Sequence, residues 1–285
     1  MFKLTIITVC RNAGSTIERT IQSVIQQKCE QVEYIVVDGK STDATMTIVK
    51  KYAAEIDVIL SEPDAGIYDA MNKGLNLAHG SYVWFLNADD WLCEHSVETV
   101  LSGLEVHDYV FGISVRVDSL GVVKGLFFPA VDEYGRIQDL VAQGTFLAHP
   151  AVVVRTEVAR RLAFDTKYRV AADYDFMLRL HSETQNYRYL PYLLSYFQTE
   201  GTSERIGSSE LFSVQLQNWP QISLSLDTTF RRRRYYRFLL ERRASMFHQH
   251  EKPAIDSLMK LVRLPLPVRF LISTKFLLEW KAGRE

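Results

Sequence analysis

The sequence predicts an α/β fold: a mostly parallel central sheet with helices on both faces, followed by a helical C-terminal extension. Three observations carry this. Between residues 3 and 86, four short apolar runs alternate with segments whose apolar residues recur at helical spacing. Each run ends in a polar loop rich in Asp, Asn, Ser and Gly. After the fourth run the pattern changes to longer extended runs, and beyond residue 205 the chain reads as helical, with Pro253, Pro265 and Pro267 as breakers. The economical division is an α/β domain over 1–205 and a helical extension over 206–285.

In chain order, Lys3–Val9 is expected as a buried strand, and Thr16–Gln27 as a helix with Ile17, Ile21, Val24 and Ile25 on one face. Val32–Val37 is the second strand. A helix around Ala44–Tyr52 follows, with Ser41, Thr42 and Asp43 as capping candidates. Asp57–Leu60 is the third strand and Ile67–Ala78 a helix with Ile67, Ala70, Met71, Leu75 and Ala78 on one face. Tyr82–Leu86 is the fourth strand. Short links between such units imply parallel pairing. Tyr109–Val117 and Val122–Phe127 flank Asp118-Ser119-Leu120-Gly121 as a hairpin. Ala151–Arg155 is extended, Tyr174–His181 helical, and Arg188–Phe197 extended again.

The composition of the 285 residues is that of an ordinary globular protein. Cys10, Cys29 and Cys93 form no CxxC pair and leave an odd count, which points away from a disulfide framework or a structural zinc site and towards a reducing cytoplasm. The N-terminus opens into a strand without a basic leader, and no charge-free stretch reaches spanning length. Net charge is −1, but residues 228–285 hold 14 Lys and Arg against 5 Asp and Glu, a net of +9 that leaves −10 for the rest.

The chemistry is expected in the four loops that parallel strands present on one edge of the sheet. These are Cys10-Arg11-Asn12-Ala13-Gly14, then Asp38-Gly39-Lys40-Ser41-Thr42-Asp43-Ala44-Thr45, then Ser61–Gly74, and finally Asn87-Ala88-Asp89-Asp90. The last is the most informative, because a buried strand that ends in carboxylates is costly unless a cation or a ligand completes the site. Oxygen ligands of this kind suit Mg²⁺ or Mn²⁺ bound with a diphosphate. An isolated Asp-Asp more often marks a solvated turn, and it is the company of the other loops that points to a ligand. In the third loop Asp64, Asp69 and Lys73 are candidates for ligand contact, whereas Met71 and Leu75 suit the core.

Thr8-Val9-Cys10-Arg11-Asn12, Val37–Asp43, Asp64–Gly74 and Phe85–Asp90, in this order and spacing, resemble the family 2 glycosyltransferases with the GT-A fold. The resemblance spans about two-thirds of the chain. It implies a cytoplasmic enzyme that moves a sugar from a nucleotide donor to an acceptor hydroxyl with inversion, with 1–90 as the nucleotide-binding half and 91–205 as the acceptor-side half. It implies donor contacts from Thr8, Arg11, Asn12, Asp38, Ser41, Asp64, Asp69, Lys73, Asn87, Ala88 and Asp90, with Asp38 on the nucleoside. The family's Asp-x-Asp reads Asn87-Ala88-Asp89 here. An amide is a poor cation ligand, so the metal, Mn²⁺ or Mg²⁺, falls to Asp89. The family's base lies at the start of a later helix, which is Asp173 here, preceded by Ala172 where the family commonly has Glu. A carboxylate at that position is also a plain helix cap. Asp175 is the runner-up. His149, Gly201 and Thr202 match landmarks on the acceptor side.

The same resemblance makes a UDP-hexose or UDP-N-acetylhexosamine the expected donor. A lipid-linked saccharide of bacterial surface-polysaccharide synthesis, of the O-antigen kind, is the expected acceptor. The stretch Arg231–Arg243 interleaves guanidinium groups with aromatic residues, and Leu261–Trp280 continues the mix. This suits either a solvated helical face or an anionic membrane surface, the latter favoured, which would make the enzyme peripheral on the inner face of the cell membrane. The acidic body argues against nucleic acid. The rival readings are a sugar nucleotidyltransferase, of whose Gly-rich loop Cys10–Ser15 is a poor version, and a non-catalytic nucleotide-sugar-binding protein. No GxGxxG follows the first strand, which disfavours a dehydrogenase.

Overall fold

The structure is a computed structural model and describes residues 2–104, 106–129, 131, 134–137, 147–199, 210 and 214. The chain divides into two units, Met1–Ile206 and Gly207–Glu285. Gly201, Thr202 and the basic segment from residue 228 onward lie outside the described residues.

The strands are β1 Leu4–Cys10, β2 Val32–Asp38, β3 Val58–Ser61, β4 Tyr82–Phe85, β5 Trp91–Leu92, β6 Tyr109–Val117, β7 Val123–Phe127, β8 Val152–Arg155 and β9 Tyr187–Gln198. The helices are α1 Ile17–Ile25, α2 Thr45–Lys51, α3 Ile67–Leu77, α4 Ser96–Gly103, α5 Thr156–Leu162 and α6 Ala172–Glu183, with a 3₁₀ turn at His149–Ala151. All strands join one nine-stranded sheet of order β3-β2-β1-β4-β8-β6-β9-β5, with β7 on β6. β1 to β4 pair in parallel, and β6 and β9 run the same way through antiparallel β8. Only β5, β7 and β8 run opposite, so the sheet is mostly parallel.

Every residue of β1 and β2 is buried, as strands covered on both faces require. The chain winds outward from β1 to β3, then crosses back under α3 to place β4 on the other side of β1. Right-handed crossovers in opposite directions set α3 on the face opposite α1 and α2. The gap between the carboxyl ends of β1 and β4 is thus a topological switch point, the place where open α/β sheets take ligands. α3 crosses close to the sheet: a Cβ at Gly74 would lie 2.5 Å from Ile7 Cγ2 and 3.3 Å from Val37 Cγ2. Trp84, fully buried in β4, satisfies its indole N–H on the Pro150 carbonyl at 2.9 Å.

The expected strands and helices of the first half are present with ends moved by a residue or two, and the β6–β7 hairpin stands where expected. Four elements were not anticipated: β5, α4, α5 and the 3₁₀ turn. β5 has two residues and exists only through pairing of Trp91 and Leu92 with Tyr196 and Ser195, a partner with no trace in local pattern. β9 is long despite Pro191. Between Phe111–Tyr189 and Ile113–Leu193 the register slips, so that Pro191 sits in a bulge where its missing N–H costs no ladder bond.

Candidate active site

The first two loops are knitted together. Asp38 ends β2 fully buried, and its carboxylate accepts the Ser41 N–H at 3.1 and 3.2 Å and the Ser61 hydroxyl at 2.6 Å. Cys10 Sγ lies 3.8 Å from its Oδ1, and burial together with Asp38 pushes that thiol's pKa far up. Ser41 Oγ accepts the Asn12 N–H at 2.8 Å, and Asn12 Oδ1 accepts the Thr42 N–H at 2.9 Å. Asn12 and Lys40 hold φ of 51° and 60°, left-handed conformations that L-residues seldom adopt, kept here by these cross-links. Asp43 accepts the Thr45 N–H at 3.0 Å and the Gly14 N–H at 2.9 Å, so it caps α2 from just before the helix start. The Thr45 hydroxyl and these amides lower its pKa.

The third loop docks on the second. A Cβ at Gly39 would come within 2.0 Å of Asp64 Oδ2, so only glycine lets that carboxylate lie against the Asp38 loop. Arg11, exposed, passes beside the same glycine. Asp64 Oδ1 accepts the Gly66 N–H at 3.0 Å, and Asp69 Oδ2 accepts the Ala65 N–H at 3.0 Å. Lys73 pairs with Glu62 at 2.9 Å and Asp69 at 3.4 Å and donates to the Pro63 carbonyl at 2.7 Å. Thr8 is fully buried, 3.1 Å from the Tyr34 hydroxyl. Thr8 and Asp38 are therefore engaged inside the protein, and Asp69 and Lys73 are paired at the surface of the third loop, whereas Arg11 and Asn12 are exposed.

Asn87–Asp90 leaves β4 at its carboxyl end. Ala88 is buried, and Asp89 is half-buried. Burial raises the Asp89 pKa against the pull of the Arg19 guanidinium. Asp90 is buried; its Oδ1 accepts the Gln198 N–H at 3.0 Å, and its backbone carbonyl accepts the Thr20 hydroxyl at 2.7 Å. Burial first, then the Asp89 charge, raise its pKa well above the carboxylate range. Among the described residues, the buried side-chain polar atoms without a partner are Asn87 Oδ1, Asp90 Oδ2, His149 Nε2 and Gln198 Oε1. Two belong to this loop, Gln198 bonds Asp90 through its amide, and His149 stacks on Phe85 at the end of β4. Unpaired buried polar atoms are rare and each costs about 1–3 kcal/mol, so a cluster of them marks a place where a ligand completes the bonding. Among the described residues no group of three His, Cys, Asp or Glu is ready for a metal. A divalent ion therefore fits only in part: Asp89 supplies one hard oxygen donor, and a diphosphate would have to supply others.

Asp173 lies in the first turn of α6, where its Oδ1 accepts the Tyr174 N–H at 2.8 Å and the Tyr68 hydroxyl at 3.1 Å. The N-cap position is Ala171, so Asp173 is not the helix cap, and its bond to the next amide lies inside the first turn. Tyr68 comes from α3, directly after the Asp64 loop, and ties that loop to Asp173. His149 stacks on Phe85 at 6.0 Å between ring centroids and meets Phe164 edge-on at 6.1 Å. Burial lowers its pKa while the Asp173 charge opposes the shift. Tyr68 thus bonds Asp173, and His149, which feels the Asp173 charge, stacks on Phe85 at the end of the strand that leads into the acidic loop. Asp175, the runner-up, is buried and bonded to Arg179 at 2.7 Å, a structural ion pair.

Sequence reasoning missed Tyr68, Arg19 and Gln198. Tyr68 stood in the quoted Asp64–Gly74 motif, and its hydroxyl one residue before Asp69 was the available signal. Arg19 and Gln198 had none, since both reach the site only through tertiary packing.

Residues 5–162 match the family described as glycosyl transferase family 2, more than half of the chain. The chain belongs to this family. It is 29% identical over 246 residues to a PGL/p-HBAD biosynthesis glycosyltransferase of Mycobacterium bovis, covering 78% of this chain and 92% of that one. Its fold is similar to that of S. aureus TarS 1–349 in complex with UDP-GlcNAc, with a TM-score of 0.62, 18% identity, and 88% and 78% of the two chains covered. It is also similar to the mannosyltransferase PcManGT from Pyrobaculum calidifontis in complex with GDP-Man and Mn²⁺, with a TM-score of 0.60, 16% identity, and 97% and 85% covered. The fold is GT-A, and the protein is a family 2 glycosyltransferase. No helix among the described residues is long and apolar enough to cross a membrane.

Proposed function

We propose that this glycosyltransferase inverts the anomeric centre of a nucleotide sugar, a UDP-hexose or UDP-N-acetylhexosamine, and transfers the sugar to a hydroxyl of a lipid-linked saccharide in surface-polysaccharide synthesis. The observation that carries the donor site is the cluster of unpaired buried polar atoms around Asn87–Asp90, at the switch point of the sheet. The resemblance to TarS bound to UDP-GlcNAc supports a UDP-sugar.

In this reading Arg11, Asn12, Ser41 and Asp64 meet the nucleoside end of the donor, and Asp38, Asp69 and Lys73 hold the loops that present them. Asn87 Oδ1 accepts a hydroxyl of the donor, and Asp89 faces the diphosphate. Asp173 takes the proton of the acceptor hydroxyl as its oxygen bonds to the anomeric carbon and the diphosphate departs with the electron pair. Tyr68 occupies one oxygen of Asp173 and so orients the other. Neutral His149 borders the acceptor. A divalent ion held by Asp89 would offset the negative charge that builds on the leaving diphosphate.

Thermal shift and calorimetric titration with UDP and GDP, each with and without Mn²⁺, test the donor site. UDP with Mn²⁺ is expected to stabilise the protein most, and Asp89→Ala to weaken that binding by at least about tenfold. A stronger response to GDP would move the donor to a GDP-sugar. Metal-independent binding, unchanged in the Asp89→Ala variant, would remove Asp89 as the metal residue.

A further inference from the structure

We propose that Arg19 is a built-in counter-cation for Asp89 and Asp90, which makes the site take a divalent ion together with a diphosphate and not alone. The proposal rests on the reading of Asp89 given above and assigns the acidic loop a positioning residue outside the four motif loops.

Arg19 is held on both sides. Its Cζ lies 3.4 Å above the centroid of Trp91, the residue that directly follows Asp89-Asp90. Tyr196 of β9 stacks on the same indole, with centroids 4.8 Å apart and planes 13° apart. Trp91, held by Tyr196, thus seats the guanidinium. The β6–β7 turn covers it further: a Cβ at Gly121 would lie 3.4 Å from Arg19 Nη1.

The helix that carries Arg19 is fastened to the acidic loop one turn at a time. The Thr20 hydroxyl donates to the Asp90 carbonyl at 2.7 Å, the Leu92 N–H donates to Ser23 Oγ at 3.0 Å, and Gln27 Nε2, just beyond the last turn, donates to the Cys93 carbonyl at 2.9 Å. Positions 20, 23 and 27 share one helical face. The helix that carries Arg19 cannot move away from this stretch without breaking the seam. The Arg19 charge acts on both carboxylates, and they act on it in return.

The consequence follows from charge. A bare divalent ion approaching Asp89 meets a fixed positive group that already offsets the carboxylates. A nucleoside diphosphate brings negative charge of its own, which attracts the ion and the guanidinium together. Arg19 thereby couples ion binding to nucleotide binding.

The test is Mn²⁺ titration of the full-length protein by electron paramagnetic resonance, which reads free Mn²⁺ and needs no turnover. Arg19→Gln is expected to bind Mn²⁺ alone about tenfold tighter than the wild type, while Arg19→Lys stays close to wild type. The gain in Mn²⁺ affinity that UDP confers should shrink by a similar factor in Arg19→Gln. Should that variant fold poorly, Arg19→Met keeps the apolar stem on Trp91 and gives the same reading. Unchanged Mn²⁺ affinity in the folded neutral variant overturns the proposal. Asp89→Asn separates the two ideas: if it loses Mn²⁺–UDP binding while the Arg19 variants change nothing, only the role of Arg19 fails. If Asp89→Asn binds Mn²⁺–UDP as the wild type does, the metal reading beneath it fails.

Discussion

At the scale of single residues, the geometry around Asp173 makes the sharpest prediction. One carboxylate oxygen is engaged by both the Tyr174 amide and the Tyr68 hydroxyl, which leaves the other to work. Asp173→Asn should lower kcat by about 10²–10⁴-fold, the range for losing a general base, while UDP binding by calorimetry stays near wild type. Full turnover in that variant would rule Asp173 out as base. Tyr68→Phe removes one hydrogen bond and nothing from the donor site. A drop of about tenfold in kcat with KM little changed is expected, and equal falls in both parameters would instead mark Tyr68 as a substrate contact. Asp173 itself was legible in the sequence only through the motif at the start of its helix. That Tyr68 completes it was not, because 105 residues separate the two.

Elements decide how accurately those residues meet. α3 delivers both the Asp64 loop and Tyr68, and its distance from the sheet is set by Gly74 against Ile7 and Val37. Gly74→Ala would gain helix propensity, yet it inserts a methyl where Ile7 Cγ2 stands at 2.5 Å. A net destabilisation of about 1–3 kcal/mol is expected from urea unfolding, with kcat reduced because Tyr68 shifts with the helix. A neutral or stabilised variant with full activity would show that α3 has slack. The first-half elements were readable because buried parallel strands and amphipathic helices each leave a local period. β5 and the Pro191 bulge in β9 were not, since both depend on a partner strand far away in the chain.

For the whole molecule, charge is the property that the fold does not absorb. The acidic remainder and the net +9 of residues 228–285 are features of composition, and the basic segment lies outside the described residues. Each basic residue near an anionic surface is worth about 1 kcal/mol, enough in sum to hold an enzyme at a membrane where a lipid-linked acceptor resides. The full-length protein should sediment with anionic vesicles and be released by salt, and a chain ended before Thr228 should stay in solution. Identical partitioning of the two forms would sink the membrane assignment. The sequence alone determined the fold class and the order of the loops, because these rest on local periodicity and short motifs. Only the tertiary structure decided which of the candidate side chains remain free. Thr8 is buried against Tyr34 of β2, Asp38 accepts from Ser61 of the third loop, and Lys73 pairs with Glu62 of its own loop, while Asn87 Oδ1 and His149 Nε2 are left unpaired. Whether a polar group is satisfied depends on what packs against it from elsewhere in the chain, and no local pattern records that.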